Sequence, residues 1–279
     1  MADAGIPWLC VTCGTQFRPT PKPPAHCPVC EDVRQFVGPD GQQWMMPSEL
    51  AATHSARIER VDDRLYGIGT EPEFAIGQRA LLVRSGGLNL LWDCTSLMDE
   101  ATVAGVNALG GVDAIAISHP HFYTAMVDWA QAFDAPVLLH AQDRDWVMRD
   151  DARIRFWEGD RHVLNDDLTL VRLGGHFPGG TVLHWQGQSR PEGALLSGDI
   201  VQVVADRDWV SFMYSYPNTI PLPAFEVERI ATTVAAYRFD TLYGGWWQTI
   251  VHERADTKVQ RSAERYLAAL AGRYHRPPG

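Results

Sequence analysis

From about residue 57 onward, apolar residues recur with two different periods that alternate along the chain. Residues 57–66 alternate loosely with period two. Residues 79–83 and 88–92 flank Gly86-Gly87, which predicts a hairpin. The spacing predicts a helix over 98–109, then a short buried strand over 112–117. Thr124 is placed to cap a further helix, whose apolar positions Met126, Val127, Ala130 and Phe133 recur at helical spacing. Strands are predicted over 136–140, 168–173, 181–185 and 194–197. Helices are predicted over 223–237 and 254–273, with a strand over 240–243 between them, and the tail from Arg273 is expected to fray. This alternation predicts an α/β fold with helices outside packed sheets.

The first 45 residues do not share that pattern. Cys10-Val-Thr-Cys13 and Cys27-Pro-Val-Cys30 stand thirteen residues apart, and Pro19, Pro21, Pro23 and Pro24 lie between them. A two-residue gap lets both thiolates of a pair face one ion, and two such pairs close a tetrahedral site. So short a segment has little apolar surface to bury, so a structural zinc is expected to supply its stability. A rubredoxin-like iron is the alternative for the same thiolates. Gly14 follows the first pair and Pro28 stiffens the second, while His26 is expected to stand outside the closed shell. The expected organisation is a four-cysteine, zinc-ribbon-like module over 1–45 and a main domain over 46–279.

Composition narrows the function. The chain has 279 residues, 46% hydrophobic and 21% charged, enough for a sizeable core. Its net charge of −10 and lack of a basic stripe argue against a nucleic-acid partner. No apolar run approaches a membrane span and no signal peptide is evident. Five cysteines, four of them in metal-type pairs, fit a reducing cytoplasmic compartment better than disulfides. The expected partner is a small-molecule substrate, with association into homo-oligomers left open.

Candidate chemistry gathers at strand ends. His119-Pro-His121 follows the predicted strand over 112–117, and residues i and i+2 of an extended segment face one side. His176 sits in the glycine-rich run Gly174-Gly-His-Phe-Pro-Gly-Gly180, and Asp199 follows the apolar run that ends in Ser197-Gly198. Three histidines can hold zinc and leave a position for water, with Asp199 as a further ligand or as base and orienter for that water. Two histidines with Asp199 also satisfy the pattern of non-haem iron.

These segments resemble the metallo-β-lactamase superfamily over roughly four-fifths of the chain. His119-Pro-His121 is similar to the start of its H-x-H-x-D-H motif, Gly175-His-Phe-Pro-Gly179 to its G-H-T-P-G turn, and Ser197-Gly-Asp199 to its G-D motif. Leu91-Trp-Asp93 resembles its early strand ending in an aspartate. The resemblance implies a four-layer αββα sandwich, with His119, His121 and His176 as ligands of the first metal and Asp199 as the shared carboxylate. It also implies a lost second site. Tyr123 and Thr124 stand where an Asp and a His would be, and Gly244-Gly-Trp246-Trp247 stands where a late His would be. His252 is a poor replacement.

Around that set, Asp93 and His140 are expected to orient the ligands, and Tyr123 to donate a proton to substrate. Cys94 is expected to be a small buried apolar residue. Tyr214, Tyr216 and Asn218, in an aromatic, proline-rich segment, are expected to face the substrate. The leading function is a metallohydrolase with one Zn or Fe ion, in which a metal-bound hydroxide attacks an ester- or thioester-like bond. A mononuclear iron oxygenase of the persulfide dioxygenase type and a non-catalytic scaffold are the alternatives.

Overall fold

The computed structural model describes residues 5–187 and 190–273. Two compact units divide at Glu158 and Gly159. The predicted fraying of the tail falls on 274–279, outside the described residues.

The first unit opens with β1 (Leu9–Cys10) and α1 (Pro28–Glu31), and β1 pairs antiparallel with β2 (Trp44–Met45). After α2 (Pro47–Thr53) come β3 (Ser55–Asp62), β4 (Leu65–Glu71), β5 (Ala80–Ser85) and β6 (Leu88–Trp92), an antiparallel series. Past α3 (Glu100–Ala108) the sheet turns parallel through β7 (Ala114–Ala116), β8 (Val137–His140) and β9 (Ile154–Trp157). The seven strands lie side by side in sequence order. Buried β5, β6, β7 and β8 read as almost unbroken apolar runs, as expected of strands covered on both faces.

Helix α4 (Met126–Phe133) fills the crossover between β7 and β8. Thr124 does not cap it: Ala125 occupies the cap position without a side-chain bond, and Thr124 is held at φ 37°. By contrast Asp99 caps α3 by accepting the Thr102 N–H at 2.7 Å.

The second unit carries a six-stranded mixed sheet. Strands β10 (Arg161–Val163), β11 (Leu168–Arg172), β12 (Thr181–Gly187) and β13 (Arg190–Gly198) run antiparallel in sequence order. Two short ribbons follow, β14 (Gln202–Val203) with β15 (Val210–Ser211) and β16 (Met213–Ser215) with β17 (Ile220–Pro221). After α5 (Ala224–Val234), β18 (Thr241–Gly244) joins β13 in parallel and β19 (Ile250–Val251) closes the edge, followed by α6 (Ala255–Leu270). Leu195 and Leu242 of the sheet share one buried cluster with Val227 and Ile230 of α5 and Val259 of α6. Burial of these side chains contributes roughly 1.5–3 kcal/mol each. No helix of the described residues is long and apolar enough to cross a membrane.

Candidate metal centres

The four paired cysteines converge. Cys10 and Cys30 place their sulfurs 3.5 Å apart, and Cys13 and Cys27 theirs 3.6 Å apart, all buried. A disulfide needs about 2.05 Å, and all five cysteines are free. Thiolates bound tetrahedrally at ~2.3 Å from an ion stand about 3.8 Å apart, so the spacing fits a metal cage. Hydrogen bonds among the four thiols hold Cys10 well below its ordinary range and push Cys13 and Cys30 above theirs, as when one thiolate is shared by protonated neighbours. Gln42 Nε2 also donates to the Cys10 sulfur at 3.1 Å. His26 points outward to Glu31 at 2.8 Å, away from the shell. The four cysteines form a group that can hold a metal ion.

The second group is built from strand ends. Strands β6, β7 and β8 run parallel and end beside one another, so Asp93, His119 and His140 issue from one edge of the sheet. The Asp93 N–H donates to the Ala116 carbonyl at 2.9 Å, locking the turn after β6. Asp93 Oδ1 accepts the backbone N–H of Ser118 at 2.8 Å, and Ser118 Oγ lies 2.9 Å from His119 Nδ1. Asp93 thus acts on His119 through Ser118. Burial pushes its carboxyl up to about 7 against the pull of the Ser118 N–H and hydroxyl. Cys94, next along, is buried and its thiol is raised by the same cause.

Pro120–Phe122 forms a 3₁₀ turn, which puts the rings of His119 and His121 at 75° to each other with centroids 5.2 Å apart. Tyr123 is buried, and burial together with the charge of Asp143 holds its phenol well above the usual range. His140 Nδ1 accepts the Gln142 N–H at 3.2 Å, so a neutral His140 carries its proton on Nε2. That nitrogen is a donor, as suits an orienting residue, and the ring meets Trp157 edge-on at 4.5 Å.

In the second unit, His176 lies in the turn between β11 and β12. Gly175 there adopts φ 82°, and a Cβ on it would meet Ile230 at 2.9 Å and Leu222 at 3.0 Å. The glycine-rich sequence therefore answers a left-handed backbone and close packing. His176 Nδ1 donates to the Tyr214 carbonyl at 2.8 Å, because a carbonyl can only accept. A neutral His176 then carries its lone pair on Nε2, which lies 3.9 Å from Asp199 Oδ2. The Tyr216 hydroxyl donates to the Asp199 carbonyl at 2.7 Å. Burial and Asp199 hold that phenol above its usual range. Sequence reasoning assigned Tyr214 and Tyr216 to the substrate. They are also bonded to the metal-site segment, the Tyr214 backbone carbonyl to His176 and the Tyr216 hydroxyl to the Asp199 carbonyl, and backbone contacts of this kind leave no sequence pattern. Asn218 is exposed in the turn between β16 and β17. His252 is exposed, and Trp246 donates its N–H to Thr249.

His119, His121, His176 and Asp199 are all buried, and one ligand atom from each lies within 4.8 Å of the others. Three imidazoles and one carboxylate are a donor set suited to zinc or iron.

No protein-family model matches the chain. Solved metallo-β-lactamases do match its fold. DIM-1 metallo-β-lactamase aligns with a TM-score of 0.56 at 15% identity, over 75% of this chain and 97% of its own. A B3 metallo-β-lactamase with an active-site glutamic acid gives 0.54 at 18%, over 77% and 89%. FIM-1 of Pseudomonas aeruginosa, in its mono-zinc form, gives 0.53 at 12%, over 75% and 95%. The protein has the α/β metallo-β-lactamase fold, with two mixed sheets and an N-terminal cluster of four cysteines. It is 49% identical over 265 residues to the uncharacterized protein YmaE of Bacillus subtilis (strain 168), covering 94% of this chain and 96% of that one. The chain belongs to the same family as YmaE.

Proposed function

We propose that this protein is a metal-dependent hydrolase with one catalytic ion, held by His119, His121, His176 and Asp199, and a structural zinc held by the four cysteines. The observation that carries the proposal is the buried group of three histidines and one aspartate, beside positions 123 and 124 that hold a phenol and a hydroxyl instead of further metal ligands. When bound, such an ion acidifies a coordinated water toward a pKa of about 7 and so supplies a nucleophile at neutral pH.

The chain's own residues do the rest. The bond from His176 Nδ1 to the Tyr214 carbonyl presents Nε2 to the ion, and Ser118 braces His119. Asp199 either completes the coordination or orients the attacking water as its base. The phenol of Tyr123 stays protonated at neutral pH, so its offer to a substrate is a hydrogen bond or a proton. Ester- or thioester-like bonds are the proposed substrate class, and the free thiols suit a reducing, cytoplasmic setting.

The test is hydrolysis of a panel of esters and thioesters by zinc-loaded protein without oxygen. Turnover that disappears in His119→Ala supports the proposal. Turnover that requires iron and oxygen contradicts it and favours an oxygenase.

A further inference from the structure

Two residues just beyond Cys13, Gly14 and Gln16, grip both loops that carry the first unit's part of the histidine site. Gly14 adopts φ 79°, and its carbonyl accepts the Ser96 hydroxyl at 2.8 Å. A Cβ on Gly14 would lie 2.6 Å from Ser96 Oγ and 3.5 Å from Thr124 Cγ2. Ser96 closes the loop that begins at Asp93. The N–H of Gln16 donates to the Thr124 carbonyl at 3.1 Å. The Gln16 amide donates to Asp128 at 2.6 Å, and Arg149 bonds both Gln16 and Asp128. Asp128 lies in the first turn of α4, immediately beyond the histidine pair.

The path from Thr124 back to the histidines is short and bonded throughout. The Phe122 N–H donates to the His119 carbonyl at 3.0 Å, the Tyr123 N–H to Pro120 at 3.2 Å, and the Met126 N–H to Tyr123 at 2.9 Å. Thr124 itself is a non-glycine residue at φ 37° whose buried hydroxyl has no hydrogen-bond partner among the described residues. A backbone in that region persists only where its surroundings impose it, and the Gln16 N–H is such a constraint. The cysteine cluster also packs on Trp146 and Met148, and the Arg18 N–H donates to the Met148 carbonyl at 3.2 Å.

We infer that the four-cysteine centre is the anchor of the histidine turn: with its metal in place, Gly14 and Gln16 are positioning residues that set the geometry of His119 and His121. An empty thiolate cage loosens residues 14–16, then Ser96 and Thr124, then the histidine pair. The inference rests on the proposed metal site at those histidines.

The experiment uses the full chain and two readouts, cobalt(II) titration and hydrogen exchange. Cobalt–thiolate absorption reports the four-cysteine centre, and the weaker ligand-field bands report the histidine site. In Gln16→Ala and Ser96→Ala the thiolate spectrum should be unchanged, while affinity at the histidine site falls about tenfold, the size expected when support behind a ligand is lost. Exchange should rise over 93–96 and 118–126 and not elsewhere. Removing the thiolate-bound metal from wild-type protein with p-hydroxymercuribenzoate should raise exchange over the same segments. Wild-type affinity in both variants, or exchange that stays flat or rises uniformly across the chain, overturns the inference. If the histidine site of wild-type protein takes no cobalt at all, the proposed function fails. The exchange arm still decides the anchoring, because it needs no ion at the histidines.

Discussion

Ser118 connects Asp93 to His119: its backbone N–H donates to Asp93 at 2.8 Å, and its hydroxyl lies 2.9 Å from the imidazole. Ser118→Ala keeps the first contact and removes the second. Metal affinity at the histidine site is expected to fall 10- to 100-fold, as for other lost partners of ligand histidines. Isothermal titration with zinc, with the four-cysteine centre already loaded, measures it. An unchanged affinity contradicts the bracing role.

Gly175→Ala is expected to destabilise the protein by about 1–3 kcal/mol. The new methyl meets Ile230 and Leu222 and the backbone is left-handed, a conformation alanine resists. Urea denaturation measures the loss. Occupancy of the histidine site should fall with it, since His176 is the next residue.

Tyr216→Phe removes the donor to the Asp199 carbonyl. A lost hydrogen bond of this kind costs about 1 kcal/mol, and the melting temperature is expected to fall by roughly 2–4 °C. If Tyr216 instead acts on substrate, turnover should collapse with stability intact, and paired melting and kinetic measurements separate the two outcomes.

His184 lies away from both metal groups, on β12, with Nε2 donating to the Arg238 carbonyl at 2.9 Å. Burial, which outweighs that bond, lowers its pKa from 6.5, and Arg161 adds to the lowering. The unfolded chain therefore takes up this proton first as pH falls. Stability should decline below about pH 6.5 toward the depressed native value, with a slope of up to about 1.4 kcal/mol per pH unit from this group. His184→Gln should flatten that part of the denaturation profile, and an unaltered profile contradicts the assignment.

Much of the fold was legible because its strands are short apolar runs and its turns carry glycine. The hairpin at Gly86-Gly87 and the strand before His119 appear within two or three residues of their predicted limits. That the four cysteines, and the three histidines with Asp199, form groups that could hold an ion was legible for a related reason, since residue type and spacing are written in the sequence. What stayed hidden was carried by the backbone. Strands β14 to β17 are too short to show a period. The cap expected of Thr124 was lost to a left-handed backbone. The carbonyl of Tyr214 and the N–H of Gln16 act independently of side-chain identity, so no motif marks them.

A single ion at the histidine site, beside a structural ion at the cysteines, is the core of the proposed chemistry. Metal analysis of protein purified with and without oxygen, for wild type and for the double variant His119→Ala/His176→Ala, decides it. Wild-type protein should carry about two ions per chain and the variant about one, the survivor being the thiolate-bound one. Three ions in wild type, or a count that the double variant leaves unchanged, would contradict it.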